Sequence, residues 1–512
     1  VMNSMKKVSF FTEFLPDELY HVLVLVPIKT SPTNSMSLLS AGDEIVFTKS
    51  EINLELNGID LLSPHLDRLE LLKSIAYSVQ SNRFTLLSSP AGSGKTSVLQ
   101  LFQKWVKVRC IYLSPYRATK ELGISTSNCL KLLLQAGIKA DDKSFPESSE
   151  PLIVMIDDAQ YTYDNKDAWT SLMKEVVLWL PHSIKFIISA THIMKGGVES
   201  PVEFKSLPTF DRQDFLLSEA ESKVFLDSPI GLRGDMKFDS LKQNIIIQCA
   251  GLIGSLRLSV DGLTAEFAKS QPTETNALLY YLSAGALSRM ARVFGSDHSL
   301  PVDGILKDFV AECFTSGFTR SPRGLDDDDD LCFTRLQKAG ILVVDQSFIK
   351  FSSIMGQRYF IQWLFPNRSL FAPPSLRALI EGCIQNMSGT VLDNSVVDGF
   401  PKEATFQHLL MEGLAKLTPP VCSICPELSK IFPDTQQTGG NISGEVDFYL
   451  NGSLRWGVEL LVLGRGVTEH IDRFGSNGKY FKLGVKDYII VDFRFSQDGQ
   501  PTNVQRHEKR VS

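Results

Sequence analysis

Two stretches of this chain carry residues whose types and spacing can do chemistry. The first is "SSPAGSGKTS", residues 88 to 97, in which small residues lead into Lys95 and Thr96. Small side chains let successive backbone N–H groups turn inward around an anion, and a helix beginning at the lysine adds the positive end of its dipole. Lys95 would then reach the terminal phosphate oxygens of a nucleotide, and the Thr96 hydroxyl would ligate Mg²⁺. The whole run Ser89, Pro90, Ala91, Gly92, Ser93, Gly94, Lys95, Thr96 and Ser97 is read as the cradle. It matches G-x-x-x-x-G-K-[ST] except that Ser89 stands where the first glycine belongs, which matters only if that position needs a positive φ.

Further along, five apolar residues lead into Asp157 and Asp158 in "LIVMIDDAQ". A strand ending this way presents one carboxylate to organise the Mg²⁺ hydration shell, Asp157, and a second to polarise an attacking water, Asp158. A third apolar strand ends in "SATH" and offers Thr191 as a polar group near the γ-phosphate, provided its strand lies between the other two. "CAGLIGSLRLS" then places Arg257 on a helix after a Gly-rich turn, where it would serve as a cationic sensor of the same phosphate.

The second stretch, "GEVDFYLNGSLRWGVELLVLG" (444 to 464), sets Asp447 and Glu459 on a β-hairpin. Acidic residues are disfavoured in strands, so each needs a solvated face or a function, and holding a divalent metal at a phosphodiester is one such function. A tight Asn451-Gly452 turn would pair 450 with 453 and leave Glu459 on the wrong side. A loop of three or five residues is expected to set 447 opposite 457, with Glu459 its diagonal neighbour at roughly 7–8 Å. Trp456, Val458, Leu460 and Val462 then form the buried face, and Gly457, Glu459 and Leu461 the other. Glu403 and Glu412 on the preceding helical segment are further carboxylate candidates. The position two beyond Glu459 is Leu461, so no lysine accompanies the pair; His470 and Arg473, or Lys479 and Lys482, are the substitutes, with His470 the better general base on its intrinsic pKa.

The elements that must position these groups follow from periodicity. Between about 60 and 265, apolar strand-like runs ("RFTLLSS", "VRCIYLSP", "PLIVMIDD", "IKFIISAT") alternate with helical periodicity, which indicates a parallel sheet covered on both faces. Residues 1–50 hold one short strand and a Ser/Thr/Pro-rich linker. The nucleotide-binding domain spans 51–265, a helical and winged-helix-like connector 266–370, a proline-marked linker 371–385, and the C-terminal domain 386–512. The connector ends in a helix and two short strands joined at Asp345-Gln346; preceded by five aspartates, it reads as an interdomain lever of the ATPase, with DNA contact through Arg335, Lys338 and Lys350 as the alternative. "LDDDDDL" (325 to 331) reads as a solvated loop.

At 512 residues the chain allows about three domains, and a 43% hydrophobic, 21% charged composition is that of an ordinary globular protein. A net charge of -6 excludes a global basic field, so any contact with nucleic acid must be local. One local concentration exists: Arg455, Arg465, Arg473, Lys479, Lys482, Lys486 and Arg494 lie close in sequence around the hairpin. The 8 cysteines are scattered, as expected of reduced thiols, and the close pair Cys422 and Cys425 lacks the further ligands a structural zinc needs. No apolar run reaches membrane-spanning length, and no secretory signal is expected at the N-terminus.

A helix supplying one Glu followed by a hairpin supplying Asp and Glu is similar to the core of PD-(D/E)XK nucleases. Taken with the phosphate loop, "MIDDAQ", "LPDELYHVLVLVPI" near the start, "SGEVDFYLNGSLRWGVELLVLGRGVTEHIDRF" and "GKYFKLGVKDYIIVDFR", the chain resembles the Crinkler effector family of oomycetes and fungi. The resemblance implies an α/β fold: a RecA/AAA-like P-loop NTPase, a winged-helix-like connector and a restriction-endonuclease-like C-terminal domain. It implies ATP and Mg²⁺ as cofactors, DNA or a host nuclear protein as partner, and oligomerisation through the NTPase domain. It also implies secretion into host cells and action in the host nucleus, and Asp447, Glu459 and Glu403 as the Mg²⁺ carboxylates of the nuclease-like domain.

Overall fold

The computed structural model describes residues 58–59, 64–115, 151–163, 165–170, 172–173, 182–192, 207–294, 306, 308–310, 313, 321–322, 325–338, 340–345, 348–365, 368–397, 400–401, 403–426, 448–462, 470, 473–474, 478 and 480–493. The N-terminal strand and linker, Asp447, Lys479, Arg465 and Arg494 lie outside these. The chain divides into two compact units, Val1–Leu216 and Leu217–Ser512. The helices over 219–266, expected as the end of the nucleotide-binding domain, therefore fall in the second unit.

The first unit is built on five parallel strands: β1 (Phe84–Ser88), β2 (Arg109–Leu113), β3 (Leu152–Ile156), β4 (Ile184–Ala190) and β5 (Thr209–Phe210). Their order is β2-β3-β4-β1-β5, and every described pairing is parallel. Near-continuous apolar strands suit a sheet buried on both faces, and two separate cores confirm it. Leu86, Val154, Ile156, Phe186 and Ile188 pack with Tyr163 and Trp169 on one side. Leu87, Ile153, Met155 and Ile187 pack on the other against two helices, α1 (Leu69–Ser81) and α2 (Lys95–Trp105). Helix α1 buries Leu71, Leu72, Ile75 and Val79, the spacing of one helical face.

In the second unit, helices α3 (Glu219–Asp227), α4 (Asp239–Cys249), α5 (Ile253–Glu266) and α6 (Glu274–Tyr281) precede α7 (Asp327–Lys338). Strands β6 (Leu342–Asp345) and β7 (Phe348–Phe351) follow as an antiparallel pair, then α8 (Ile354–Leu364), so the expected order of a helix and two short strands is present. The aspartate run is not a loop. Asp327 to Asp330 form the first turn of α7, and Asp326 caps it by accepting from the Asp329 N–H, because acidic groups are stabilised at the positive end of a helix.

The expected linker over 371–385 likewise contains a helix, α9 (Leu376–Gln385), capped by the Ser375 hydroxyl. It packs on α10 (Glu403–Leu417) where Gly413 lets the backbone approach Cys383; a Cβ there would sit 2.8 Å from that of Cys383. A two-residue pair, β8 (Val396–Val397) and β9 (Phe400–Pro401), lies between these helices. After α10 come β10 (Ile424–Pro426), β11 (Phe448–Leu450), β12 (Trp456–Val462) and β13 (Asp487–Phe493), paired in that order. The first two pairings are antiparallel and the last is parallel.

Arg358 of α8 joins the helical part of this unit to the sheet. Its guanidinium is 1% exposed and donates to the Gln248 side chain, the Leu282 carbonyl (2.9 Å) and the Ser423 hydroxyl (3.2 Å). Cys425 donates to the same Leu282 carbonyl, so the cysteine pair 422/425 consists of buried thiols with protein partners. Removing the guanidinium strands three buried acceptors. Arg358→Ala is expected to destabilise the unit by about 3 kcal/mol, measured by urea unfolding; a change within about 0.5 kcal/mol, the range of ordinary surface substitutions, would contradict this role.

Candidate functional site

The phosphate loop connects β1 to α2. Gly92 and Gly94 hold positive φ of 74° and 88°, the backbone region that favours glycine. Ser89 is not among the described residues with positive φ, so serine costs nothing at the position where the motif has glycine. Lys95 is the first residue of α2 and is 7% exposed. Its ammonium donates to the carbonyls of Ser89 (2.5 Å) and Pro90 (2.9 Å), and Pro90 O also accepts from the Ser93 hydroxyl (2.8 Å). Burial pushes the Lys95 pKa down to about 8, against the opposing pull of Asp157 and Asp158.

Asp157 follows β3 and is 1% exposed. Its Oδ2 accepts from Thr96 Oγ1 (2.7 Å) and from the Tyr112 hydroxyl (2.6 Å). Its Oδ1 accepts from the Ser189 hydroxyl (2.7 Å) and the Asp158 N–H (3.0 Å). The strand order puts β4 between β1 and β3, the arrangement that the reading of Thr191 requires. Asp158 adopts a left-handed conformation (φ 53°), which turns the chain out of the strand. The Gln160 amide then links the two groups, donating to Asp158 Oδ1 (3.3 Å) and accepting from the Thr191 N–H (3.2 Å). Thr191 Oγ1 shares a hydrogen bond with His192 Nδ1 (2.9 Å).

Tyr112, Ser189 and Gln160 join the candidate site, and sequence reasoning missed them. A hydroxyl inside the apolar strand "IKFIISA" was the available signal for Ser189, since buried polar groups need partners. The donor set fits a phosphate chain with a divalent cation. Beside a buried lysine bonded to carbonyls and a Thr–Asp pair, the Ser89 hydroxyl oxygen is buried with no hydrogen-bond partner among the described residues.

Arg257 lies on α5 in the second unit, its guanidinium on Asp261 (3.0 Å) with a longer bond to the Ile230 carbonyl (3.4 Å).

In the C-terminal sheet the hairpin register differs from expectation. Phe448 pairs with Val458, Tyr449 with Gly457 and Leu450 with Trp456, around the turn 451–455; Tyr449, not 447, faces Gly457. Nor is there one buried face and one open one. Val458, Glu459, Leu460 and Leu461 are all buried, Glu459 at 0% exposure. The cover includes His470, Arg473 and Phe474: a Cβ on Gly457 would lie 2.5 Å from the Phe474 ring, so only glycine fits. On the same face His470 Nδ1 meets Glu459 Oε2, and Arg473 Nη1 lies 3.5 Å from Glu459 Oε1 and 3.0 Å from His470 Nδ1.

Arg473 is thus an internal counter-charge rather than a surface contact, and Lys482 pairs with Glu274 (3.1 Å). Among the described residues no group of three or more His, Cys, Asp or Glu side chains converges for a metal. Asp447 lies outside those residues, as does the Glu403 side chain, while Glu412 pairs with Lys416 on the surface of α10.

The parallel order β2-β3-β4-β1-β5, with a glycine-kinked loop opening α2, is a P-loop NTPase fold of the RecA/AAA-like arrangement. No protein-family model matches the chain, and no curated protein matches it in sequence. Solved structures similar to it include the Walker-type ATPase of Pyrococcus abyssi, at 14% identity, covering 58% of this chain and 95% of that one, with a TM-score of 0.36. The RuvB Holliday junction branch migration motor of Thermotoga maritima is 13% identical over 55% of this chain and 91% of its own, with a TM-score of 0.31. The Aeropyrum pernix ORC1 protein, solved in complex with DNA, is 14% identical over 59% and 93%, with a TM-score of 0.31. Likenesses this distant say nothing of ligand or partner. Among the described residues no helix is long and apolar enough to cross a membrane.

The lysine gives the site a pH signature. Lys95 loses its proton as pH rises through about 8, whereas a phosphate beside it favours the charged form and raises its pKa. Above that pH, binding must take up a proton, so nucleotide affinity is expected to be flat below it and to fall about tenfold per pH unit above it. Calorimetric titration across that range reads this directly, and Lys95→Arg should abolish the dependence because a guanidinium stays charged. A flat profile for the parent chain would contradict the assignment.

Proposed function

We propose that this chain is an Mg²⁺-dependent ATPase whose nucleotide state controls a C-terminal domain of PD-(D/E)XK nuclease-like topology that acts on DNA. The observation that carries the ATPase reading is the meeting of Lys95 and Thr96, at the start of α2, with Asp157, just past β3, with Ser189 on the strand between and Thr191 just beyond its end. The cation would supply charge neutralisation on the phosphates, held by Thr96 and Asp157. Lys95 would leave the Ser89 and Pro90 carbonyls for phosphate oxygens, and the N–H groups of residues 92–97 would surround them. Asp158 would orient and polarise the attacking water, and Gln160 would transmit its position to Thr191.

For the C-terminal domain, a helix, three antiparallel strands and a parallel fourth strand support the nuclease-like reading. Asp447, Glu459 and Glu403 would carry Mg²⁺ there, with His470 as general base. A second reading is favoured by one observation: Glu459 is fully buried, and both its oxygens already have cationic or imidazole partners. Under it the domain is a degenerate nuclease that binds DNA or a host nuclear protein without cutting. The family resemblance adds secretion, action in a host nucleus and assembly through the ATPase unit to the same proposal.

Lys95→Ala should weaken ATP binding by about a hundredfold, the value of charge-assisted hydrogen bonds to phosphate, while Asp158→Asn should retain binding and lose hydrolysis. Unchanged affinity in Lys95→Ala would refute the ATPase reading. Mg²⁺-dependent DNA cleavage that disappears in Asp447→Ala and Glu459→Gln supports the first reading of the C-terminal domain; DNA or protein binding with no cleavage by the parent chain supports the second.

A further inference from the structure

We propose that Tyr112 is a gate for Mg²⁺ loading: its hydroxyl occupies the last acceptor position of Asp157 and must withdraw before that carboxylate can serve a hydrated cation. The inference rests on the nucleotide-binding reading above and adds a regulatory contact to it. A carboxylate offers about four lone-pair positions on its two oxygens. All four are filled within the protein, by Thr96 Oγ1 and Tyr112 OH on Oδ2, and by Ser189 Oγ and the Asp158 N–H on Oδ1. Asp157 is 1% exposed, so none of these partners is readily exchanged for bulk water.

The four donors are not equally able to leave. The Asp158 N–H is backbone, adjacent to the acceptor in sequence and fixed by the turn out of β3. Ser189 lies in β4, a central strand hydrogen-bonded on both sides, and has one short side chain. Thr96 can keep its proton on Asp157 while an oxygen lone pair faces a cation, since a hydroxyl both donates and accepts. Tyr112 is different. It stands near the end of β2, an edge strand among the described strands; its ring packs in the core at 5% exposure, but the phenol reaches Oδ2 from the tip of a long side chain, so a small shift of the ring withdraws the hydroxyl without moving the strand. It shares Oδ2 with Thr96, the oxygen next to the residue read as the cation's ligand. The same hydroxyl also satisfies a buried acceptor when no cation is present.

Tyr112→Phe separates gate from support. Binding of a fluorescent ATP analogue to the full-length chain is titrated with Mg²⁺, with parallel titrations in EDTA, and thermal unfolding is followed in EDTA and in Mg²⁺ with nucleotide. The gate predicts that the phenylalanine variant reaches half-saturation at about tenfold lower Mg²⁺, the value of one hydrogen bond to a charged group, with affinity in EDTA unchanged. It also predicts a lower Tm in EDTA but an unchanged Tm with Mg²⁺ and nucleotide, so the gap between the two widens.

A merely structural tyrosine would lower both Tm values together and raise the Mg²⁺ requirement, because Asp157 would lose its position; either result overturns the gate. An unaltered Mg²⁺ requirement overturns it as well. If the parent chain binds no nucleotide with or without Mg²⁺, the proposed function falls first and the gate with it. That result differs from failure of the gate alone, in which the parent binds normally.

Discussion

The carboxylate of Asp157 is the constraint on which the first unit's site depends. A buried carboxylate is tolerable when its acceptor positions are filled, as these are. Its donors come from four separate pieces of chain: Thr96 at the start of α2, Tyr112 on β2, Ser189 on β4 and the Asp158 backbone. Those bonds tie the phosphate loop to three neighbouring strands and fix where Lys95 and Asp158 can lie. The parallel sheet, packed on both faces, is the rigid frame that makes such convergence repeatable.

A second buried charge organises the C-terminal sheet. Glu459 has no solvent exposure and meets His470 and Arg473 from the segment that lies over Gly457. An unpaired carboxylate there would be strongly destabilising, so the cation and imidazole are structural necessities before they are catalytic candidates. This bears on the missing lysine beside Leu461: Arg473 supplies positive charge to Glu459, but it does so from inside the fold.

Much of the first unit was legible in the sequence because its signals are local. Apolar strand runs, two glycines and a lysine in sequence order define the loop, and Asp157 announces itself at the end of five apolar residues. Tyr112 was not legible, and Ser189 showed only as a hydroxyl in an apolar strand, since their partner is fixed only when β2 and β4 are placed on either side of β3. The same holds for Glu459, whose burial depends on a segment that follows β12 in sequence and then folds over it. Local chemistry also misled in two places. A run of aspartates looked like a solvated loop but sits where a helix dipole welcomes it, and prolines at 373 and 374 marked the approach to α9 rather than a linker throughout.

The most direct test of the account is a crystal structure of the chain grown with Mg²⁺ and a non-hydrolysable ATP analogue. The account predicts β- and γ-phosphates enclosed by the backbone of residues 92–97, with Lys95 turned from the Ser89 and Pro90 carbonyls onto phosphate oxygens. Nucleotide bound elsewhere, or Lys95 still held by those carbonyls with the loop unfilled, would contradict it.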